Sequence, residues 1–290
     1  MPAISPSQVS FKEILVASDL SDASENAVNY AKAIAKRFGS HITLAHVSEP
    51  PSPIAIPEGG WIEDDSATFI EQQVEAAGIA PRAEGFSAEA VNRLGSLSHQ
   101  IQALAEAHHA DLVVLGTHGR RGLNPLLFGS EAESLIRHAD LPVLTVGPSA
   151  AHAEQEAWTP KNVLCATSLI PQAARVVAYG FILAQSTGAS FSLLSIEAPR
   201  HDSDERDWHT FEDALAEALP EGERAKVHIQ SLLSGKSPAA NIIDVALALK
   251  PDLIVMGARA SYLAATHLPA GVLAQVLVNA PCPVLMINTD

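Results

Sequence analysis

With 290 residues, 47% of them apolar and 18% charged, the chain has the length for about two ordinary domains and the composition of a globular protein, not a disordered one. Its formal net charge of -15 excludes a general binder of nucleic acid or anionic membrane, because neutralising phosphates takes a basic face. Two cysteines, Cys165 and Cys282, are too few for a disulfide framework and lack metal-ligand spacing; they are expected to be buried thiols.

The first twenty residues hold no basic segment followed by an apolar one, and no apolar run approaches the ~18 residues of a membrane span. A soluble, cytoplasmic protein is expected. In chain order, residues 12–18 (KEILVAS) predict a buried strand that ends in the polar residue Asp19. Asp22-Ala-Ser-Glu25 resembles a capping box, and the helix it would open stops at Gly39. A strand over residues 42–47 completes a strand–helix–strand unit and hence predicts a parallel sheet. Residues 48–61 hold four prolines and two glycines and read as a loop, a candidate lid or partner surface. A helix over 66–77, a strand over 90–94 and a helix over 96–109 lead to a further strand at 112–115.

After that strand comes the most informative stretch. Gly116, Gly119, Gly129 and Ser130 are spaced Gly, two residues, Gly, nine residues, Gly-Ser, and a helix opens at Gly129–Ser130. Such a loop presents backbone N–H groups and a positive helix end to an anion, so it predicts a phosphate cradle. A last strand over 143–146 closes the unit, and residues 148–160 read as a linker.

The pattern then restarts. Residues 12–19 align with 161–168 at an offset of 149, while 111–116 align with 252–257 and 141–146 with 282–287 at an offset of 141. The chain is a tandem duplication, with domains expected at 1–147 and 161–290. Most of the length difference falls in the proline-rich excursion and the helix after it. Copy two keeps the loop length but not its chemistry: Gly119 is replaced by Ala260, Gly129 by Ala270, Ser130 by Gly271 and Asp19 by Ser168. A Cβ where backbone must approach phosphate is an obstacle. One intact site and one degraded site are therefore expected. The helices of copy two over 173–184 and 268–280 carry one charge between them, Arg175, which suits burial on more than one face and an interdomain or oligomer contact. The strands over 142–146 and 283–287 are expected at sheet edges that pairing would cover.

On these motifs both halves resemble universal stress protein (UspA-type) domains, and the whole resembles the tandem members of that family over nearly all of residues 10–289. The resemblance implies an α/β fold: two tandem Rossmann-like (adenine nucleotide alpha hydrolase-like) domains. Each would have a five-stranded parallel sheet of order 3-2-1-4-5 with helices on both faces. It implies an adenine nucleotide, ATP or AMP/ADP, with or without Mg²⁺, across the carboxyl strand ends. By position, Ala17, Ser18 and Asp19 would line the adenosine pocket and Val47 would pack on adenine. Leu115 and Gly116 would border the ribose, and His118, Gly119, Gly129 and Ser130 would surround the phosphates. Arg120 and Arg121 join them on charge grounds. Glu131, where the family commonly has a small or apolar residue, suits a helix N-terminus yet sits where a triphosphate would collect; its removal is expected to tighten ATP binding.

Gly235-Lys236-Ser237 reads as a chance match to a phosphate loop, because Gln230 stands where that motif needs its first glycine. His108 and His109 diverge on a helix and do not form a metal pair. Neither a catalytic base nor a metal site is apparent. Three functions stay open: an ATP-binding stress-response regulator that works as a homo-oligomer (dimer) or through other proteins, a slow ATPase or phosphotransferase, and a nucleotide-free dimerisation scaffold.

Overall fold

Short runs of leucine, isoleucine and valine make the strands, and two of them decide the architecture: the last strand of each copy. We analysed a computed structural model, which describes residues 8–48, 54–55, 61–62, 66–117, 130–153, 156–168, 170–195, 204–219, 222–223, 227, 229–231, 236–258 and 271–288. Copy one contains β1 (Glu13–Ala17), α1 (Asp22–Phe38), β2 (His41–Ser48), β3 (Ile54–Ala55), β4 (Trp61–Ile62), α2 (Ser66–Ala83), β5 (Ala88–Leu94), α3 (Leu97–Ala107), β6 (Leu112–Gly116), α4 (Ser130–His138) and β7 (Val143–Val146). Copy two contains β8 (Asn162–Thr167), α5 (Ala173–Thr187), β9 (Ser190–Ser195), α6 (Asp204–Ala218), β10 (Ile229–Ser231), α7 (Pro238–Leu249), β11 (Leu253–Ala258), α8 (Gly271–Asn279) and β12 (Val284–Asn288).

The order across the main sheet is β10-β9-β8-β11-β12-β7-β6-β1-β2-β5. Each half is parallel in the expected order 3-2-1-4-5, and the halves meet where β12 pairs antiparallel with β7. The register there is Val284↔Thr145, Leu285↔Leu144 and Met286↔Val143. At the duplication offset of 141, Leu285 is the counterpart of Leu144, Val284 of Val143 and Met286 of Thr145. Exchanging the two copies therefore maps the Val284–Thr145 pair onto Val143–Met286 and Leu285–Leu144 onto itself, so a local two-fold axis passes between Leu144 and Leu285. The seam has the self-complementary geometry of a symmetric dimer interface, built within one chain. Thr145 Oγ1 donates to the Val284 carbonyl at 3.0 Å, and Asn288 Nδ2 to the Ala139 carbonyl at 3.0 Å.

One apolar layer covers each sheet face and runs across both copies: Ile14, Val16, Ile34, Leu144, Val163 and Leu285 share one, and Leu15, Leu115, Leu135, Ile254, Val276 and Met286 the other. Helix α5 has eleven of its fifteen residues buried, which agrees with its almost uncharged sequence. Its Ser186 accepts from Val9 N through Oγ and from Arg37 Nη2 through the carbonyl, so α5 contacts copy one. The segment after β7 is packed as well: Trp158 is buried and its N–H donates to the Ala33 carbonyl at 2.9 Å.

Several local readings change. The proline-rich excursion contains a two-stranded ribbon, β3 with β4, where composition alone suggested only loop. Helix α1 begins at Asp22 with Ser21 as its N-cap, so the box expected to start at Asp22 does not form. Gly39 ends that helix at φ 66°, as expected of a left-handed C-cap. Helix α2 runs six residues past Ala77, to Ala83, through Gly78 and Pro81. Gly78 is needed there, since a Cβ would stand 2.7 Å from Ala90 Cβ on β5.

Both copies share a clamp that strand patterning did not reveal. Asp111 accepts from Lys12 N (2.7 Å) and Glu13 N (3.2 Å), and its counterpart Asp252 accepts from Lys161 N (2.7 Å) and Asn162 N (2.9 Å). Each aspartate thus satisfies the free N–H groups at the start of its copy's central strand. Burial pushes the Asp111 carboxyl above its ordinary range, against the lowering effect of those two donors. Both cysteines are buried; burial raises both thiols, Cys282 to about 12, so neither is a nucleophile at neutral pH. Among the described residues no helix is long and apolar enough to cross a membrane.

Two substitutions test the seam and the clamp. A Cβ at Gly147 would run into the carbonyl oxygen of Leu277 in α8 of the other copy. Gly147→Ala should therefore cost about 1–3 kcal/mol, read from denaturant unfolding; a midpoint unchanged from wild type would contradict this approach of the two copies. Asp111→Ala leaves two strand N–H groups without their acceptor and should cost about 1–3 kcal/mol in the same measurement.

Candidate functional site

In copy one the strand order reverses at β1, between β2 on one side and β6 on the other, and ligands of open α/β sheets lie at the carboxyl end of such a point. The register aligns Ala17 with Ala45 and Leu115, and Gly116 with Val146, which brings four strand ends together. Ala17 and Leu115 are buried, and Val47 packs against the same apolar layer. Five of the expected residues, Ala17, Ser18, Val47, Leu115 and Gly116, thus end neighbouring strands at one edge.

The turn leaving β1 is held by its own polar side chains. Ser18 is 8% exposed; its N–H donates to the Ala45 carbonyl (2.9 Å) and its Oγ lies 2.8 Å from Ser24 Oγ. Leu20 N donates to Ser18 Oγ at 3.1 Å, while Asp19 Oδ1 accepts from Ser21 N (3.2 Å) and Ser21 Oγ (2.5 Å). These bonds hold Leu20 at φ 60°, a left-handed conformation that costs a side-chain-bearing residue about 1–2 kcal/mol. Strain of this kind concentrates at functional sites. His46 Nδ1 donates to the Ser18 carbonyl at 2.9 Å, tying the end of β2 to the same turn.

Two residues join the list that sequence reasoning missed. Ser48 Oγ and Asn92 Oδ1, near the carboxyl ends of β2 and β5, are buried with no hydrogen-bond partner among the described residues. A buried polar atom without a partner calls for an explanation, and both of these stand toward the carboxyl edge of the sheet. The available signal was a polar residue closing an apolar strand.

Expected phosphate contacts His118, Gly119, Arg120, Arg121 and Gly129 lie outside the described residues. What is described is where that loop leaves β6, at Gly116 and Thr117, and where Ser130 opens α4. Glu131 follows, and its carboxylate has a partner the sequence did not suggest. Its Oε2 accepts from Ser96 Oγ at 3.0 Å, with Ser98 N at 3.5 Å, at the N-terminus of α3. Ser96 is the N-cap of α3 but makes no side-chain cap bond within its own helix; Glu131 fills that place from α4. Glu133, two residues on, is held by Arg137 at 2.7 Å.

The discounted signals are accounted for locally. Lys236 pairs with Asp244, and Ser237 N-caps α7, accepting from Ala240 N. His108 pairs with Glu89 at 3.0 Å, and α3 ends at Ala107, so neither histidine stands on the helix expected to run to residue 109; His109 follows with a left-handed backbone at φ 52°. In copy two, β8 ends at Thr167 and Ser168 follows it, so the place corresponding to Asp19 has no carboxylate.

The comparisons with known proteins agree with this architecture. The Universal stress protein family profile matches residues 10–147 and 159–288. Universal stress protein MJ0531 of Methanocaldococcus jannaschii is 32% identical over 139 residues, covering 47% of this chain and 82% of its own. Universal stress protein A homolog 1 of Coxiella burnetii is 33% identical over 142 residues, covering 47% and 96%. The crystal structure of a universal stress protein from Archaeoglobus fulgidus superposes with a TM-score of 0.69 at 19% identity, covering 95% of this chain and 96% of its own, which extends the shared fold to both halves. Matched along both of its copies, the chain belongs to the universal stress protein family.

Proposed function

We propose that the amino-terminal copy binds an adenine nucleotide across the carboxyl ends of β1, β2 and β6, and that the protein acts as a nucleotide-responsive module of the stress response. One observation carries this reading. The copy whose strand ends gather Ala17, Asp19, Val47, Leu115 and Gly116 is also the copy that keeps Gly119, Gly129 and Ser130, while the other has Ser168, Ala260, Ala270 and Gly271. In this reading Asp19 meets the adenosine, Ser48 and Asn92 give their open oxygens to it, and Val47 packs on the base. The glycine loop with His118, Arg120 and Arg121 takes the phosphates at the N-terminus of α4. Partners, or a second copy of the chain, would read the bound state through a shift in conformation.

Isothermal titration with ATP and AMP, with and without Mg²⁺, tests the placement. Asp19→Ser and Gly119→Ala, which install copy two's residues, should each weaken binding by about tenfold or more, a change of ~1.4 kcal/mol. Ser168→Asp should change nothing. Wild-type affinity in both of the first two variants would contradict the site.

Glu131 gives a separate prediction. Its carboxylate is already held by Ser96 at the positive end of α3, so it opposes bound phosphate less than its sequence position suggests. Glu131→Gln should shift ATP affinity by less than about threefold, roughly 0.6 kcal/mol, while lowering the thermal midpoint by a few degrees. A large gain in ATP affinity would return Glu131 to direct conflict with the phosphates.

A further inference from the structure

On the opposite sheet edge from the nucleotide site, at the amino ends of β1, β6 and β7, the two copies border an open cavity of about 560 Å³. Small-molecule sites commonly span ~300–1,000 Å³ and concentrate at domain junctions. This one exists because the seam is antiparallel: Ile287, near the carboxyl end of β12, and Tyr179 of α5 come from copy two, while Val9, Asp111 and Leu141 come from copy one.

The lining has a definite chemistry. Val9, Ala105, Leu141, Pro142 and Ile287 give an apolar wall. The acidic groups are Glu106, Asp111 and Asp140, beside the imidazoles of His109 and His138, and no lysine or arginine is among the described lining residues. Tyr179 is only 6% exposed, yet no described group hydrogen-bonds its hydroxyl. The hydroxyl is not among the buried unpartnered atoms, so its oxygen opens onto the cavity, where a ligand can hydrogen-bond it.

We propose that this cavity binds a small organic cation with an apolar body, an arylalkylamine in size and kind. The body lies on the apolar wall, and the ammonium donates to the Tyr179 oxygen and faces the carboxylates of Asp111, Glu106 and Asp140. Burial already raises Asp111 above the ordinary carboxylate range and keeps Tyr179 protonated, so a cation beside them offsets the cost of desolvation. An anion would meet three carboxylates and no fixed cation among the described lining. Because residues of both copies line it, a bound amine would also hold the junction together. The inference does not rest on nucleotide binding.

The test is calorimetric titration of the full chain with tryptamine and with tryptophol, its neutral alcohol counterpart. Tryptamine should bind saturably, one per chain, at least about tenfold tighter than tryptophol, and excess ATP should not displace it. Tyr179→Phe keeps the ring and its packing and should weaken tryptamine about five- to tenfold. The double variant Glu106→Gln, Asp140→Asn, at two exposed positions, should weaken it similarly and remove the preference over tryptophol. Absence of saturable tryptamine binding at millimolar concentration, equal affinity for the alcohol, displacement by ATP, or undiminished binding in the double variant would each overturn the proposal.

Discussion

Everything in this molecule depends on one antiparallel strand pair. A five-stranded parallel sheet ends in a strand with a row of unpaired N–H and C=O groups, a liability that proteins cover or blunt. Here each copy covers the other's edge, with Leu144 opposite Leu285 on the local two-fold axis. The ten-stranded sheet carries two apolar layers, each of which draws residues from both copies. The near-absence of charge on α5 follows from this, since that helix packs its own sheet and touches copy one as well.

The same two-fold relation separates the functional edges. Because β12 runs against β7, the carboxyl edge of copy two lies on the side where copy one has its amino edge. The carboxyl-end crevices of the two copies therefore open in opposite directions. In the proposed reading, duplication leaves one crevice free to diverge, and Ser168, Ala260 and Ala270 are where copy two departs from copy one. The aspartate clamps show the contrast: Asp111 and Asp252 do a structural task in each copy, and both copies keep them.

Much of this was legible in the sequence. The duplication and the covering of the last strands follow from repeat offsets and the edge rule, while the strand order came with the family resemblance that the motifs carry. That Ala17, Val47 and Leu115 stand at the carboxyl ends of neighbouring strands was legible too, because apolar runs that stop at polar or glycine residues mark where strands end. Less visible were features that depend on distance across the fold. Glu131 looks like a residue of the phosphate loop because it follows Ser130, yet its partner Ser96 lies 35 positions away. Ser48 and Asn92 become notable only once their oxygens are found buried without partners. Helix α2 outruns its expected end because packing of Gly78 against Ala90 overrides the weak helical preference of glycine and proline.

The central claim is a division of labour within one pseudo-symmetric sheet: a nucleotide in copy one and none in copy two. Native mass spectrometry of the full chain with saturating ATP counts the sites directly. The account predicts a single bound adenine nucleotide per chain, lost in Gly119→Ala. Two nucleotides per chain, or one that persists in that variant, would contradict it.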